Sequence, residues 1–191
     1  MTHPTRALSG ANRPALHAHF LALGAEDRRL RFGQPLDDAR LRAYVDGIDF
    51  SRDTVFAVSD ETLRLVGVAH VAHAEGHVEL GLSVLEDWRG RGVGAALMAR
   101  GHLHARNGFV RMLFMHCLRE NAAMMHLARK QGMRVAVSAG EADAFLEIPR
   151  TDARSLAQGV MEEHVGLFDH ALKTQVAAAK RVMDAMGRRK D

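Results

Sequence analysis

Cysteine occurs once in this 191-residue chain, which excludes an intramolecular disulfide framework and every multi-cysteine zinc or iron–sulfur site. Proline is scarce, at 4 residues, and no apolar run approaches the ~18 residues of a membrane-spanning helix. The opening Met1-Thr2-His3-Pro4-Thr5-Arg6 lacks the charged-then-apolar layout of a secretion signal, so the expectation is a cytoplasmic protein with no membrane partner. Aromatic residues are few, with eight Phe, one Trp and one Tyr, and they cannot supply a base-stacking platform. Charge of one sign is lacking as well. Lys plus Arg number 26 against 23 Asp plus Glu, and the arginines are scattered apart from Arg28-Arg29-Leu30-Arg31 and the terminal Arg188-Arg189-Lys190. No nucleic-acid partner is therefore expected, although the formal charge of +3 suits a small polyanionic ligand.

What is present is a chain that is 47% apolar and long enough to bury a core without a disulfide or metal staple. One globular domain over residues 1–150 is expected, followed by a helical extension over 151–191. Residues 1–50 read as mostly helical, with one helix from about Pro14 to Leu23 and another from Asp37 or Asp38 to Ile48. The period then changes to two. Val55 to Val58, Leu63 to His73 and His77 to Leu85 form a meander of antiparallel strands, turning at Ser59-Asp60-Glu61-Thr62 and Ala74-Glu75-Gly76. A helix from about Gly94 to Arg106, a buried strand from Val110 to Leu118 and a helix from Asn121 to Gln131 follow, with Asn121 as N-cap and Gly132 as the stop. Arg134 to Ser138 and Ala144 to Ile148 close the domain as a strand pair. The predicted class is α/β, a mixed twisted sheet with helices on both faces. In the extension, Val165, Phe168, Leu172, Val176, Ala179, Val182, Met183 and Met186 trace a helical stripe, which either packs on its own domain or joins a second copy as a homodimer.

The chemistry concentrates between Leu82 and Met98. A strand enters a loop with three alternating glycines, Gly90, Gly92 and Gly94, and runs directly into a helix. Glycines let backbone N–H groups converge with no Cβ in the way, and a helix start adds unpaired donors and the positive end of its dipole. This is a phosphate cradle, to which Arg89 and Arg91 can add charge. Gly90-x-Gly92-x-x-Ala95 also fits a dinucleotide fingerprint, but the feeding strand ends a meander and no acidic residue follows about 20 positions on. No GxxxxGK[ST] loop is present either.

The segment Arg89-Gly90-Arg91-Gly92-Val93-Gly94, preceded by the strand Val78-Glu79-Leu80-Gly81-Leu82-Ser83-Val84, resembles the R/Q-x-x-G-x-G/A signature of the GNAT superfamily of acyl-CoA-dependent N-acyltransferases. The family's second motif, N-x-x-A-x-x-L-Y-x-K-x-G-F, is matched in place by Asn121, Leu127, Lys130 and Gly132. The resemblance covers residues 54–149. It implies acetyl-CoA as co-substrate, its pyrophosphate on the amides of Arg89, Gly90, Arg91, Gly92, Val93, Gly94 and Ala95. The pantetheine arm would run along Leu82, Ser83 and Val84, and Asn121 would hydrogen-bond it, unless that side chain serves only as the helix cap. The strand ending at Val84 and the Val110–Leu118 strand would be parallel neighbours that splay apart to admit the thioester, with a backbone N–H near Val84, at a strand bulge, meeting the carbonyl oxygen.

What the resemblance implies for activity is transfer of acetyl to a primary amine by direct attack in a ternary complex, the acceptor being a small molecule or a peptide amine. Glu79 is the first candidate for general base, His116 the second and His77 the third. The family's tyrosine, which protonates the departing thiolate, falls on Ala128, so the usual proton donor is missing. That departure keeps open a second reading, a catalytically silent acyl-CoA-binding or sensor module. Twelve histidines form no ligand pattern, and no metal is expected. The basic run on residues 28–31 either attracts an acidic acceptor or is a solvated face paired with Glu26, Asp27 or Asp37.

Overall fold

Seven strands form one sheet in the computed structural model, which describes residues 3–74, 76–138 and 140–187. The terminal Arg188-Arg189-Lys190 run, Met1, Thr2 and Glu75 of the expected turn lie outside the described residues. The strands are β1 (Arg6–Ala7), β2 (Thr54–Ser59), β3 (Leu65–Ala74), β4 (His77–Val84), β5 (Met112–Leu118), β6 (Arg134–Ser138) and β7 (Glu141–Glu147). The helices are α1 (Arg13–Leu21), α2 (Ala25–Phe32), α3 (Asp38–Asp46), α4 (Val93–Asn107), α5 (Ala122–Lys130) and α6 (Ala153–Gly187). Strand order is β1-β2-β3-β4-β5-β7-β6. All neighbours are antiparallel except β4 and β5, so the fold is the mixed, helix-flanked sheet that the pattern predicts.

Period-two alternation places each strand. On β4, Val78, Leu80 and Leu82 are buried in a cluster with Leu97 and Met98 of α4 and Ala128 of α5. Gly81 and Ser83 face the opposite side, where Arg31 and His19 meet them. That second layer holds Leu16 and Phe20 of α1, Leu41 and Val45 of α3, and Val55 and Val68 of the sheet. Each fully buried Leu, Val or Phe contributes about 1.5–3 kcal/mol.

Three elements depart from the sequence reading. α2 lies between the two N-terminal helices expected, and β1 adds a two-residue edge. β7 begins at Glu141 rather than Ala144. Its buried positions include Ala142 and Ala144, too small for the alternation to stand out against Glu141 and Asp143. No bulge interrupts β4, whose register with β3 runs unbroken from Ala74–His77 to Gly67–Val84; the irregularity lies between β2 and β3, where Val58 pairs with Gly67 and Ser59 with Leu65.

α6 is a single helix of 35 residues, about 52 Å long. It docks through its small and polar residues. A Cβ on Gly166 would fall 2.1 Å from the Thr5 carbonyl oxygen, so only glycine permits that approach. The buried Arg100 of α4 donates to Glu163 at 2.6 Å and stacks over Phe56, and Lys173 donates to the Ser59 carbonyl at 2.8 Å. The apolar stripe faces the other way: Phe168 is 74% exposed and Met183 68%. Among the described residues no helix is long and apolar enough to cross a membrane.

Candidate active site

β4 and β5 pair only through Val78–Leu113 and Glu79–Phe114. Beyond those two rungs no backbone pairing joins them among the described residues, so the strand edges part and a slot opens between Leu80–Val84 and residues 115–118. This is the splay that the resemblance implies, produced by lost pairing without a bulge. At its mouth a cavity of about 230 Å³ is lined by Arg31, Tyr44, Glu79, His116, Asn121 and Met124, among others. The side chain of Glu79 is exposed there and has no ion pair among the described residues.

His116 reaches the same cavity from β5. Its Nδ1 lies 2.8 Å from Asp143 Oδ1 and its Nε2 3.6 Å from Glu141. The hydrogen bond to Asp143, opposed by desolvation and aided by Glu141, raises its pKa above the ordinary value. The imidazolium is thereby favoured, which suits a proton donor better than a base. His77, the third candidate, packs edge-on against Phe114 at 6.2 Å and is absent from the cavity wall.

Sequence reasoning missed a chain of polar groups behind the cavity. Asp53, just before β2, accepts from His70 Nε2 at 3.2 Å, which leaves Nδ1 of a neutral ring to accept the Tyr44 hydroxyl proton at 2.8 Å. Burial first, then the Arg31 cation, lower the His70 pKa, against Asp53. Burial raises that of Tyr44, so both groups are held neutral. Three segments supply these residues, and no motif links them. The one available signal was Tyr44 itself, the single tyrosine, which follows Leu41 by three positions and so reads as core stripe.

The loop after β4 forms the second part of the site. Gly90 and Gly92 adopt φ of +71° and +88°, a region that side chains disfavour, and nothing lies within 4 Å of a Cβ at either. α4 begins at Val93 with Gly92 as its cap. No described carbonyl accepts from the amides of Gly90, Arg91, Gly92, Val93, Gly94 or Ala95; the first bond of the helix comes from Ala96 to Gly92. Six open donors at the positive end of a 15-residue helix fit a diphosphate. Arg91 stacks over Trp88 at 5.1 Å and remains exposed. Arg89 is engaged elsewhere, with Asp27 of α2 at 2.5 Å, so it braces the loop.

Leu82, Ser83 and Val84 border the slot through their backbones. The Ser83 hydroxyl is not available to a ligand, because it donates to buried His19 Nε2 at 2.8 Å while His19 Nδ1 donates to the Leu65 carbonyl. Asn121 caps α5, accepting from the Met124 amide at 3.1 Å, and its Nδ2 reaches the Leu30 carbonyl. It thus ties α5 to α2 at the cavity wall. Ala128, where the family carries its tyrosine, is buried in the core. Among the described residues no group of three or more His, Cys, Asp and Glu is arranged to hold a metal ion.

The sequence model of the acetyltransferase (GNAT) domain matches residues 6–134. No curated protein sequence matches the chain. Among solved structures, the GNAT domain of PAT from S. lividans superposes with a TM-score of 0.64 at 18% identity, over 75% of this chain and 89% of that one. The ribosomal-protein-S18-alanine N-acetyltransferase of Escherichia coli gives 0.58 at 16%, over 78% and 96%. A Salmonella typhimurium protein, described as an acetyltransferase and solved with its cofactor acetyl-CoA, gives 0.60 at 16%, over 80% and 98%.

Proposed function

The chain belongs to the GNAT acetyltransferase family, and from that premise we propose that it moves an acetyl group from acetyl-CoA to a primary amine by direct attack in a ternary complex. The observation that supports this most directly is the parting of β4 from β5 after Glu79 and Phe114, beside six open amides on Gly90 to Ala95. Those amides and Arg91 would hold the diphosphate, and the free backbone edge of Leu82, Ser83 and Val84 the arm. When bound, acetyl-CoA supplies an acetyl carbon activated as a thioester.

The chain's own residues manage the protons. The attacking nitrogen forms the new C–N bond, the C–S bond breaks, and its electron pair leaves on sulfur. Glu79 takes the proton that the nitrogen loses. His116, whose imidazolium the hydrogen bond to Asp143 and the nearby Glu141 favour, gives one to the departing thiolate, the step for which Ala128 has no group. The pairing of Glu79 with His116 across one cavity favours an enzyme over a silent binding module. Calorimetry and thiol release test this together: acetyl-CoA should bind, and thiol should appear only when an amine is added. Binding without amine-dependent thiol would leave the silent module standing, and no binding would overturn both.

We also propose that α6 pairs with α6 of a second copy. Val165, Phe168, Leu172, Ala179, Val182 and Met186 follow one another at steps of three and four, with Gln175 completing the series. That is the a/d spacing of a two-stranded seam. The seam is exposed and about 30 Å long at 1.5 Å per residue, enough to approach the ~1,200 Å² at which stable interfaces begin.

A further inference from the structure

The cavity that holds Glu79 and His116 also holds a cation, Arg31, that has no ion pair among the described residues. Of the three arginines on α2, Arg28 reaches Asp38 at 2.7 Å, and Arg29 reaches Glu26 at 2.7 Å and Glu120 at 2.5 Å. Those two are paired with carboxylates, and Arg28 also donates to the Leu21 and Leu23 carbonyls. Arg31 points the other way, into the cavity wall, and among the described residues it has no carboxylate within 4.0 Å. Its Nη2 donates to Tyr44 Oη at 3.2 Å, and its Nε is buried without a partner among the described residues.

The guanidinium is nonetheless fixed in place. It stacks over Phe32 at 4.9 Å and lies 5.9 Å from the Tyr44 ring centre. Beneath it runs β4, and a Cβ on Gly81 would fall 2.0 Å from Nη2. A partly desolvated cation with an orphaned donor is costly to keep, and its planar fork matches a carboxylate. Glu79, on the same wall and not paired to it, offers the opposite charge for an amine.

We infer that Arg31 anchors a carboxylate of the acceptor, so that the substrate is a small amino acid carrying its amine and its carboxylate in one molecule. The inference rests on the cavity being the acceptor site of acetyl transfer. A cavity of about 230 Å³ admits such a molecule, with the carboxylate on Arg31 and the nitrogen toward Glu79 and the slot.

The test compares a panel of free amino acids with their carboxamides in thiol release, and measures thermal stabilisation by the same compounds without acetyl-CoA. At least one amino acid should be used in strong preference to its amide. Arg31→Gln should raise its KM by about tenfold or more with a smaller change in kcat, and erase the preference over the amide. Arg31→Lys, which keeps the charge but loses the fork, should fall between and controls for folding. If amides serve as well as acids, or Arg31→Gln keeps the preference, the inference falls while the acetyltransferase reading stands. If acids stabilise the protein through Arg31 but no amine releases thiol, the anchor stands and the transferase reading falls. If there is neither stabilisation nor release, both are overturned.

Discussion

His19 shows how one side chain can tie stability to pH. It is buried, and desolvation lowers its pKa from 6.5 to about 4, against a hydrogen bond to the Leu65 carbonyl. The folded pKa is depressed, so the unfolded chain takes up the proton first. The contribution of neutral His19 is fully present above about pH 6.5 and drains away as pH falls toward 4, by on the order of 3 kcal/mol. Urea unfolding at pH 7.5 and pH 5 should show a lower midpoint at pH 5, and His19→Gln should flatten the difference; equal slopes in both proteins would show that the ring is not buried neutral. At the proposed reacting centre, Glu79→Gln should lower kcat/KM by about 10²–10⁴ while leaving the Kd of acetyl-CoA unchanged. His116→Gln should remove the limb on which kcat falls as pH rises past the His116 pKa, which Asp143 holds above its ordinary value. A limb that survives in His116→Gln assigns the acid to another group.

Elements differ in how well they announce themselves. The meander was legible because Val78, Leu80, Leu82 and Val84 alternate cleanly with polar or small residues, and α5 because Asn121 and Gly132 bracket it. The glycine loop was legible because positive φ at Gly90 and Gly92 needs those residues. α2 gave no apolar stripe: Leu30 and Phe32 are its only large apolar residues, and the helix is held by Glu26 and Asp27 in its first turn, Arg29 and Arg31 in its last, and ion pairs. Glycines at 24 and 33 were the signal available. Because α2 went unread, so did the placement of Arg31, and the Tyr44–His70–Asp53 chain spans three segments that only the fold brings together. Glycine also decides how α6 sits. Gly166→Ala places a methyl 2.1 Å from the Thr5 carbonyl, where backbone must shift, and should cost about 1–3 kcal/mol. Thermal unfolding would register it as a lower Tm, and an unchanged Tm would mean that α6 does not rest there.

At the scale of the whole molecule, the apolar stripe on α6 stands exposed from Val165 to Met186. Sedimentation should find a dimer, and Phe168→Glu with Leu172→Glu should yield a monomer whose kcat is unchanged, because neither residue approaches the cavity. A monomeric parent protein would remove the pairing. The sheet carries a further consequence. Among the described residues, two rungs, Val78–Leu113 and Glu79–Phe114, splice β1–β4 to β5–β7 edge to edge. A guest lying in the gap would stand in for the absent strand, bridging both halves at once. Slowed amide exchange should then spread across the seam in either direction, far from any atom that the guest touches, so that occupancy becomes a mechanical property of the sheet.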